Sequence, residues 1–134
     1  MALPIVRDYM DKVVPTLAPD TAILEAVDFL LSHHVTGAPV LDAAGNVIGI
    51  LTEKDCLRLL STGMEADKPR GTVRDFMSTQ VTSVPSHMNV YFLAGMFLTA
   101  NYRRLPVIDD GKLVGAITRF DVLRVIQKNL KTSA

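Results

Sequence analysis

The chain has 134 residues, 49% hydrophobic and 21% charged, with 14 basic residues set against 14 acidic ones. That balance argues against a polyanion-binding surface, so nucleic acid is not an expected partner. No apolar stretch approaches the roughly 20 residues of a bilayer span. The first ten residues carry Arg7 and Asp8 and lack an apolar export signal. The lone cysteine, Cys56, excludes an internal disulfide and fits a reducing compartment, by default the cytoplasm.

In chain order, a lead-in Val6-Arg7-Asp8-Tyr9-Met10 precedes an expected short strand near Val13–Leu17. After Pro19-Asp20-Thr21, apolar residues at Ile23, Ala26, Val27, Leu30 and Leu31 trace one stripe of an amphipathic helix, with Asp20 or Thr21 placed to cap it. Pro39-Val40-Leu41 and Val47–Leu51, joined through a Gly-containing turn, read as a β-hairpin. A helix starting at Thr52 carries Cys56, Leu57, Leu59 and Leu60, and Ser61–Thr72, with Gly63, Pro69 and Gly71, reads as a linker.

The pattern then starts again. Val73-Arg74-Asp75-Phe76-Met77 repeats the lead-in at an offset of 67, and Leu105-Pro106-Val107-Ile108-Asp109 repeats Ala38–Asp42 at the same offset. Gly115–Asp121 repeats Gly49–Asp55 at 66, the lost residue falling in the hairpin turn, where a deletion costs least. Between these blocks stand a strand near Gln80–Val84 and a helix striped by Val90, Leu93, Ala94, Phe97 and Leu98, with Ser86 or Asn89 as its cap. A last helix from Thr118 carries Val122, Leu123, Val125 and Ile126. The expected organisation is α+β: a first repeat over residues 1–62, a linker over 63–72 and a second repeat over 73–134. Each β-α-β-β-α unit is too small to bury enough surface alone. A pseudo-twofold pair packed through its sheets, leaving two related clefts, is therefore predicted.

Each copy places Thr-x-x-Asp directly after its last strand, as Thr52 to Asp55 and Thr118 to Asp121. One reading is a capping box. The other is a ligand site: a helix start behind a strand gathers amide donors that favour phosphate, a threonine hydroxyl can add a donor, and an aspartate accepts from ribose hydroxyls. The two readings are compatible.

Together the Val-x-Asp-x-Met lead-ins, the Pro-Val strands and the doubled Gly-x-x-Thr-x-x-Asp blocks resemble a tandem pair of cystathionine β-synthase-type (CBS) domains, a Bateman module, over roughly residues 6–60 and 73–128. The resemblance implies a regulatory module rather than an enzyme. It would bind AMP, ADP, ATP or S-adenosylmethionine, require no cofactor or metal, often form a homodimer, and signal to a separate effector protein. It implies that Asp55 and Asp121 hold a ribose and that Thr52 and Thr118 contact ribose or phosphate. One cleft would then join Thr118 and Asp121 to Val14, Thr16, Val35, Thr36 and Ala38. The other would join Thr52 and Asp55 to Val81, Thr82, Tyr102, Arg103 and Leu105. Arg103, a planar donor absent from the first copy, would favour the more phosphorylated ligand in its cleft. The alternative is a constitutive homodimer or scaffold whose clefts are vestigial.

Other candidates read as structural. His33-His34 suits a helix C-terminus and offers too few ligands for a metal. Ser86 with His87 lacks a third orienting group. Cys56 stands near a helix start, which can lower a thiol pKa, yet beside Leu57 it reads as packing. Met88, Phe92, Met96 and Phe97 read as core or oligomer contacts.

Overall fold

The two hairpins form as their sequences direct. In the computed structural model, which describes residues 3–62 and 70–130, strands β1 (Gly37–Leu41) and β2 (Val47–Thr52) pair antiparallel, as do β3 (Arg104–Asp109) and β4 (Lys112–Thr118). Registers correspond: Gly37 faces Thr52 as Arg104 faces Thr118, and each pair shifts register one residue beyond Val40 or Val107. The second turn is the tighter one. Asp110 and Gly111 both take positive φ (50° and 79°), the requirement of a two-residue hairpin turn whose twist matches the strands. The first turn, one residue longer, is held by Asp42, whose carboxylate accepts from the amides of Ala44 (3.0 Å) and Asn46 (2.9 Å).

Helix α1 (Ile23–Ser32) and helix α5 (Val90–Thr99) precede these hairpins. Asn89 caps α5 through the Phe92 amide at 2.9 Å, as one of the two candidates there would. Neither Asp20 nor Thr21 caps α1: its N-cap is Ala22, and the Ile23 amide donates to the carbonyl of Gly71 at 3.0 Å. The stripes are also narrower than expected. Ile23, Ala26 and Leu30 are buried while Leu31 is exposed, and Val90, Leu93 and Phe97 are buried while Leu98 is exposed. After the hairpins come α2 (Glu53–Cys56) and α3 (Arg58–Thr62), broken at Leu57, and in the second copy the single helix α6 (Arg119–Leu130).

The leading strands contract to one bridging residue each, Leu17 on Val40 and Val84 on Val107, both parallel. Hydrogen bonding supplies the reason. A parallel ladder continues through residues two away, and for Leu17 these are Pro15 and Pro19, which have no amide to give. Two residues beyond Val84, the Ser86 amide is committed to Asp109 Oδ1 at 2.9 Å.

The chain separates into two compact units that differ from a division by repeat. One unit is Pro15–Val81; the other joins Met1–Val14 to Thr82–Ala134. Each unit thus takes the lead-in belonging, by sequence, to the other copy. Helix α4 (Val73–Phe76) and the residues after it pack on the first hairpin: Ser78 bridges Ile50, and Val73 lies in a core with Leu17, Ile23, Ala26, Leu30, Ala38, Val40 and Leu51. In the same way the 3-10 turn Val6–Asp8 brings Val6 into a core with Val84, Leu93, Phe97, Leu105, Val107 and Ile117, and Asp11 bridges Ala116.

Close packing locks each lead-in in place. A Cβ at Gly49 would lie 2.7 Å from the Met77 sulfur and 2.8 Å from the Ser78 carbonyl oxygen; at Gly115 it would lie 2.6 Å from the Met10 sulfur and 2.7 Å from the Asp11 oxygen. The doubled methionine and the doubled glycine are thus two sides of one contact. Residues 63–69 of the expected linker, and residues 131–134, lie outside the described residues.

Candidate functional site

Both Thr-x-x-Asp blocks close on themselves. Asp55 Oδ2 accepts from the Thr52 amide (2.9 Å) and hydroxyl (3.0 Å), and the Asp55 amide donates back to Thr52 Oγ1 (3.3 Å). Asp121 Oδ2 accepts from the Thr118 amide (2.8 Å) and hydroxyl (3.1 Å), with the Asp121 amide donating back at 3.2 Å. The capping reading is therefore realised in both copies. It carries a consequence for any ligand. An ionised carboxylate can only accept, so each hydroxyl proton points to its aspartate, and the threonine oxygen, already accepting from the aspartate amide, has only acceptor capacity left. A phosphate would find no donor there unless the hydroxyl turned.

The same spacing recurs at Thr72 and Asp75, where the Thr72 amide donates to Asp75 Oδ2 at 2.9 Å. That box opens α4 rather than following a strand. Thr-x-x-Asp alone is thus a cap, and its place behind β2 or β4 distinguishes the other two.

Sequence reasoning missed an arginine three residues beyond each aspartate. Arg58 donates to the carbonyl of Phe76, and Arg124 to that of Tyr9 at 2.8 Å, so both reach corresponding positions in the lead-ins. A third position in the block, Thr-x-x-Asp-x-x-Arg, was the available signal. Beyond this the two arginines part. The Arg58 guanidinium carbon lies 5.3 Å from the Phe76 ring centre, whereas Arg124 donates to Asp121 Oδ1 at 2.8 Å.

Around the blocks, the Glu53 amide donates to the Thr36 carbonyl at 2.8 Å, placing Thr36 against the start of α2. In the other unit Arg119 Nε donates to the Tyr102 carbonyl at 2.9 Å, and the hydroxyls of Tyr102 and Thr82 lie 3.4 Å apart. Of the residues expected at the first cleft, Thr118, Asp121 and Val14 belong to one unit and Thr16, Val35, Thr36 and Ala38 to the other. Of those expected at the second, Thr52, Asp55 and Val81 belong to Pro15–Val81, and Thr82, Tyr102, Arg103 and Leu105 to its counterpart. Ala38 and Leu105 are core residues; Arg103 and Thr36 are exposed.

The remaining candidates resolve as packing or capping. His33 Nδ1 lies 2.9 Å from the Phe29 carbonyl, to which it can only donate, at the end of α1. Burial is the main influence raising the Cys56 thiol pKa, the charge of Asp55 adds to it, and Arg58 opposes, so the helix start does not activate this cysteine. Ser86 is buried and its hydroxyl donates to Asp109 Oδ2 at 2.6 Å while accepting from Arg7 at 3.0 Å, which leaves no proton for His87 to take. Among the described residues, no group of three or more His, Cys, Asp or Glu could hold a metal, and no helix is long and apolar enough to cross a membrane.

The sequence profile of the CBS domain matches residues 6–62 and again 73–128. The chain belongs to the CBS-domain family. Its two domains stand in tandem as a Bateman module of α+β class, matching solved CBS pairs along nearly their whole length. This CBS pair is 31% identical over 118 residues to the CBS domain-containing protein YhcV of Bacillus subtilis, covering 87% of the chain and 81% of that protein. CBSX2, an Arabidopsis thaliana CBS-pair protein solved in complex with AMP, superposes with a TM-score of 0.80 at 30% identity over 93% of this chain and 97% of that one. The CBS domain pair of protein MJ0100, in complex with 5'-methylthioadenosine and S-adenosyl-L-methionine, gives 0.77 at 25% identity over 95% and 98%. Against several longer curated relatives the chain spans only 42% to 57% of their length.

Proposed function

We propose that this CBS pair is a regulatory module that binds adenosyl ligands of the AMP, ADP or ATP type, or S-adenosylmethionine, and passes the bound state to an effector protein. The carrying observation is the doubled Thr–Asp arrangement behind a strand, in a chain similar throughout to CBS pairs crystallised with AMP and with S-adenosylmethionine. In this reading Asp55 and Asp121 accept from ribose hydroxyls, and Thr52 and Thr118 complete the polar wall. Val14, Thr16, Val35, Thr36 and Ala38 line the cleft of Asp121. Val81, Thr82, Tyr102, Arg103 and Leu105 line that of Asp55. Ala38 and Leu105 would meet the base through backbone, since their side chains are committed to the cores. Arg103 supplies the donors for a phosphate chain that Thr52 cannot supply. Occupancy shifts the packing of the two repeats, and an effector that prefers one arrangement reads it. No catalytic step is part of this reading.

Thermal unfolding with AMP, ADP, ATP and S-adenosylmethionine tests it. A ligand at about 100 times its Kd adds roughly 2.7 kcal/mol to the folded state, a shift of several degrees. The shift is expected with at least one of these compounds, is reduced in Asp55→Ala or Asp121→Ala and is lost when both are replaced; its absence with all four rejects the reading. Arg103→Ala should weaken ATP more than adenosine, and an equal loss of both would remove Arg103 from phosphate binding.

One observation favours a second reading, a ligand-independent homodimer or scaffold. Tyr91, Phe92 and Leu98 on α5 are exposed together with Phe120, Leu123, Ile126 and Leu130 on α6, an apolar face of the kind used for association. Self-association measured by sedimentation, unchanged by any adenosyl compound and abolished by Phe92→Glu, would support it.

A further inference from the structure

The two ribose-binding candidates are built alike up to one oxygen. In both, Oδ2 of the aspartate is consumed by its own threonine. Only Oδ1 is left to meet a ligand hydroxyl. Among the described residues Asp55 Oδ1 accepts no hydrogen bond, whereas Asp121 Oδ1 is held by Arg124 Nη2 at 2.8 Å in a charged pair. Asp121 is also the more buried of the two, at 8% exposure.

The lead-ins explain why equivalent arginines take different routes. Phe76 presents an unsubstituted ring, and the Arg58 guanidinium lies over it while Nε donates to the Asp55 backbone carbonyl at 3.3 Å rather than to the carboxylate. Tyr9 occupies the matching position, but its hydroxyl accepts from Asn129 Nδ2 at 3.2 Å, and Asn129 is itself fixed on α6 by a 2.8 Å bond to the Val125 carbonyl. The Tyr9 ring is anchored to the helix, no cation–π contact forms on it among the described residues, and Arg124 turns to the carboxylate. A ring stack over an aromatic and an ion pair with a carboxylate are alternative uses of one guanidinium.

We infer that Arg124 is a positioning residue that sets the selectivity between the two aspartate sites: by holding Oδ1 of Asp121 it weakens that site for a cis-diol ligand and leaves Asp55 as the stronger ribose acceptor. This rests on the nucleotide-binding reading above. A ribose gives two hydroxyl donors to one carboxylate. Asp55 can answer with a full charge and both lone pairs of Oδ1; Asp121 answers with a neutralised charge and one lone pair. Hydrogen bonds to an ionised acceptor are the strong ones, so the difference amounts to about tenfold or more in affinity.

Calorimetric titration with adenosine, which has a ribose and no phosphate, isolates the effect. Removing an arginine then deletes no phosphate contact. In an Asp55→Ala background, adding Arg124→Met should tighten adenosine about tenfold, while Arg124→Lys, which keeps the charge, should not. In an Asp121→Ala background, Arg58→Met should leave adenosine unchanged or weaker. Because Arg124 also ties down the lead-in, folding is checked by circular dichroism. If Arg124→Met does not fold, Tyr9→Phe retains the arginine and releases the ring, and should tighten adenosine in the same direction.

No tightening in a folded Arg124→Met or Tyr9→Phe protein, with wild type still binding adenosyl compounds, overturns this inference alone. If wild type and every variant bind none, the nucleotide-binding reading falls as well.

Discussion

In the Pro15–Val81 unit, the residue that opens α1 is met by a carbonyl from the borrowed lead-in, Gly71; in the other unit, Pro4 does the same for Val90. Methionine sulfur covers glycine in both, and an arginine in both fixes the lead-in carbonyl. These shared devices all attach a lead-in to a hairpin. The differences lie elsewhere: Pro19 against a Ser86–Asp109–Arg7 network, acidic Glu25 and Asp28 on α1 against Phe92 and Gly95 on α5, and Arg58 on a ring against Arg124 on a carboxylate. A duplicated chain can keep the contacts that seat a lead-in and vary the others, even at lead-in residues such as Arg7, Tyr9 and Phe76. What holds the fold is therefore double, and what distinguishes the ligand sites is single.

The largest test of that division is on the shared lock. Gly49→Ala and Gly115→Ala each drive a Cβ onto a sulfur and a backbone oxygen, and overpacking of this kind costs about 1–3 kcal/mol. The two variants should lose stability alike in urea unfolding, and a smaller residue at Met77 or Met10 should give only partial rescue, because the backbone oxygen remains. If one glycine tolerated alanine freely, the two lead-ins would not be held by the same contact.

Smaller effects are expected at the three Thr-x-x-Asp boxes. Thr52→Ala, Thr72→Ala and Thr118→Ala should each cost about 1 kcal/mol as lost caps. Only Thr52→Ala and Thr118→Ala should also change the binding of AMP, since Thr72 opens α4 and follows no strand. Equal binding by all three would reduce the strand-linked boxes to caps.

Much of this was legible in the sequence. Offsets of 67 and 66 exposed the repeat, short apolar runs and turn residues located the hairpins, and Asn89 and the Thr-x-x-Asp boxes marked helix starts. Pairing of the lead-ins was not legible, because a constant offset is equally satisfied whether Val6 packs on its own copy or on the next. Nor could Leu17 be recognised as a single bridge without knowing that its ladder would run into Pro15 and Pro19. Arg58 and Arg124 were visible as a doubled position, but their divergence depends on where the Tyr9 hydroxyl finds Asn129. Contacts between distant segments carry no periodic signature.

Gly95 offers a stabilising change of about 0.5–1 kcal/mol. A Cβ there would meet nothing within 4 Å, so Gly95→Ala should raise the midpoint of thermal unfolding by lowering the entropy lost on folding the helix. The corresponding residue on α1 is Asp28, so a side chain at this turn of the helix has precedent in the molecule itself. If Gly95→Ala instead weakened self-association while stabilising the monomer, the α5 face would be the one that copies use.

The least visible difference at neutral pH separates Asp109 from Asp42. Asp42 directly follows β1 and Asp109 ends β3, but Asp42 accepts from amides of its own turn while Asp109 accepts from Ser86, and the Ser86 hydroxyl, followed by its amide, holds the Asp109 carboxyl below its ordinary range. A carboxyl whose pKa is lowered by folding contributes fully above its unfolded value of about 3.9 and loses that contribution as pH falls through the lowered one. Stability of the wild type should therefore decline with acid through this window more steeply than that of Ser86→Ala, in which only the amide bond remains. Above the window the two proteins should differ by a constant amount, and within it the gap should close. Denaturant midpoints collected from pH 6 down to about pH 2 would show it. Parallel curves would mean that the Ser86 hydroxyl serves Arg7 rather than Asp109, and that the second unit's polar buttress is held from the lead-in side.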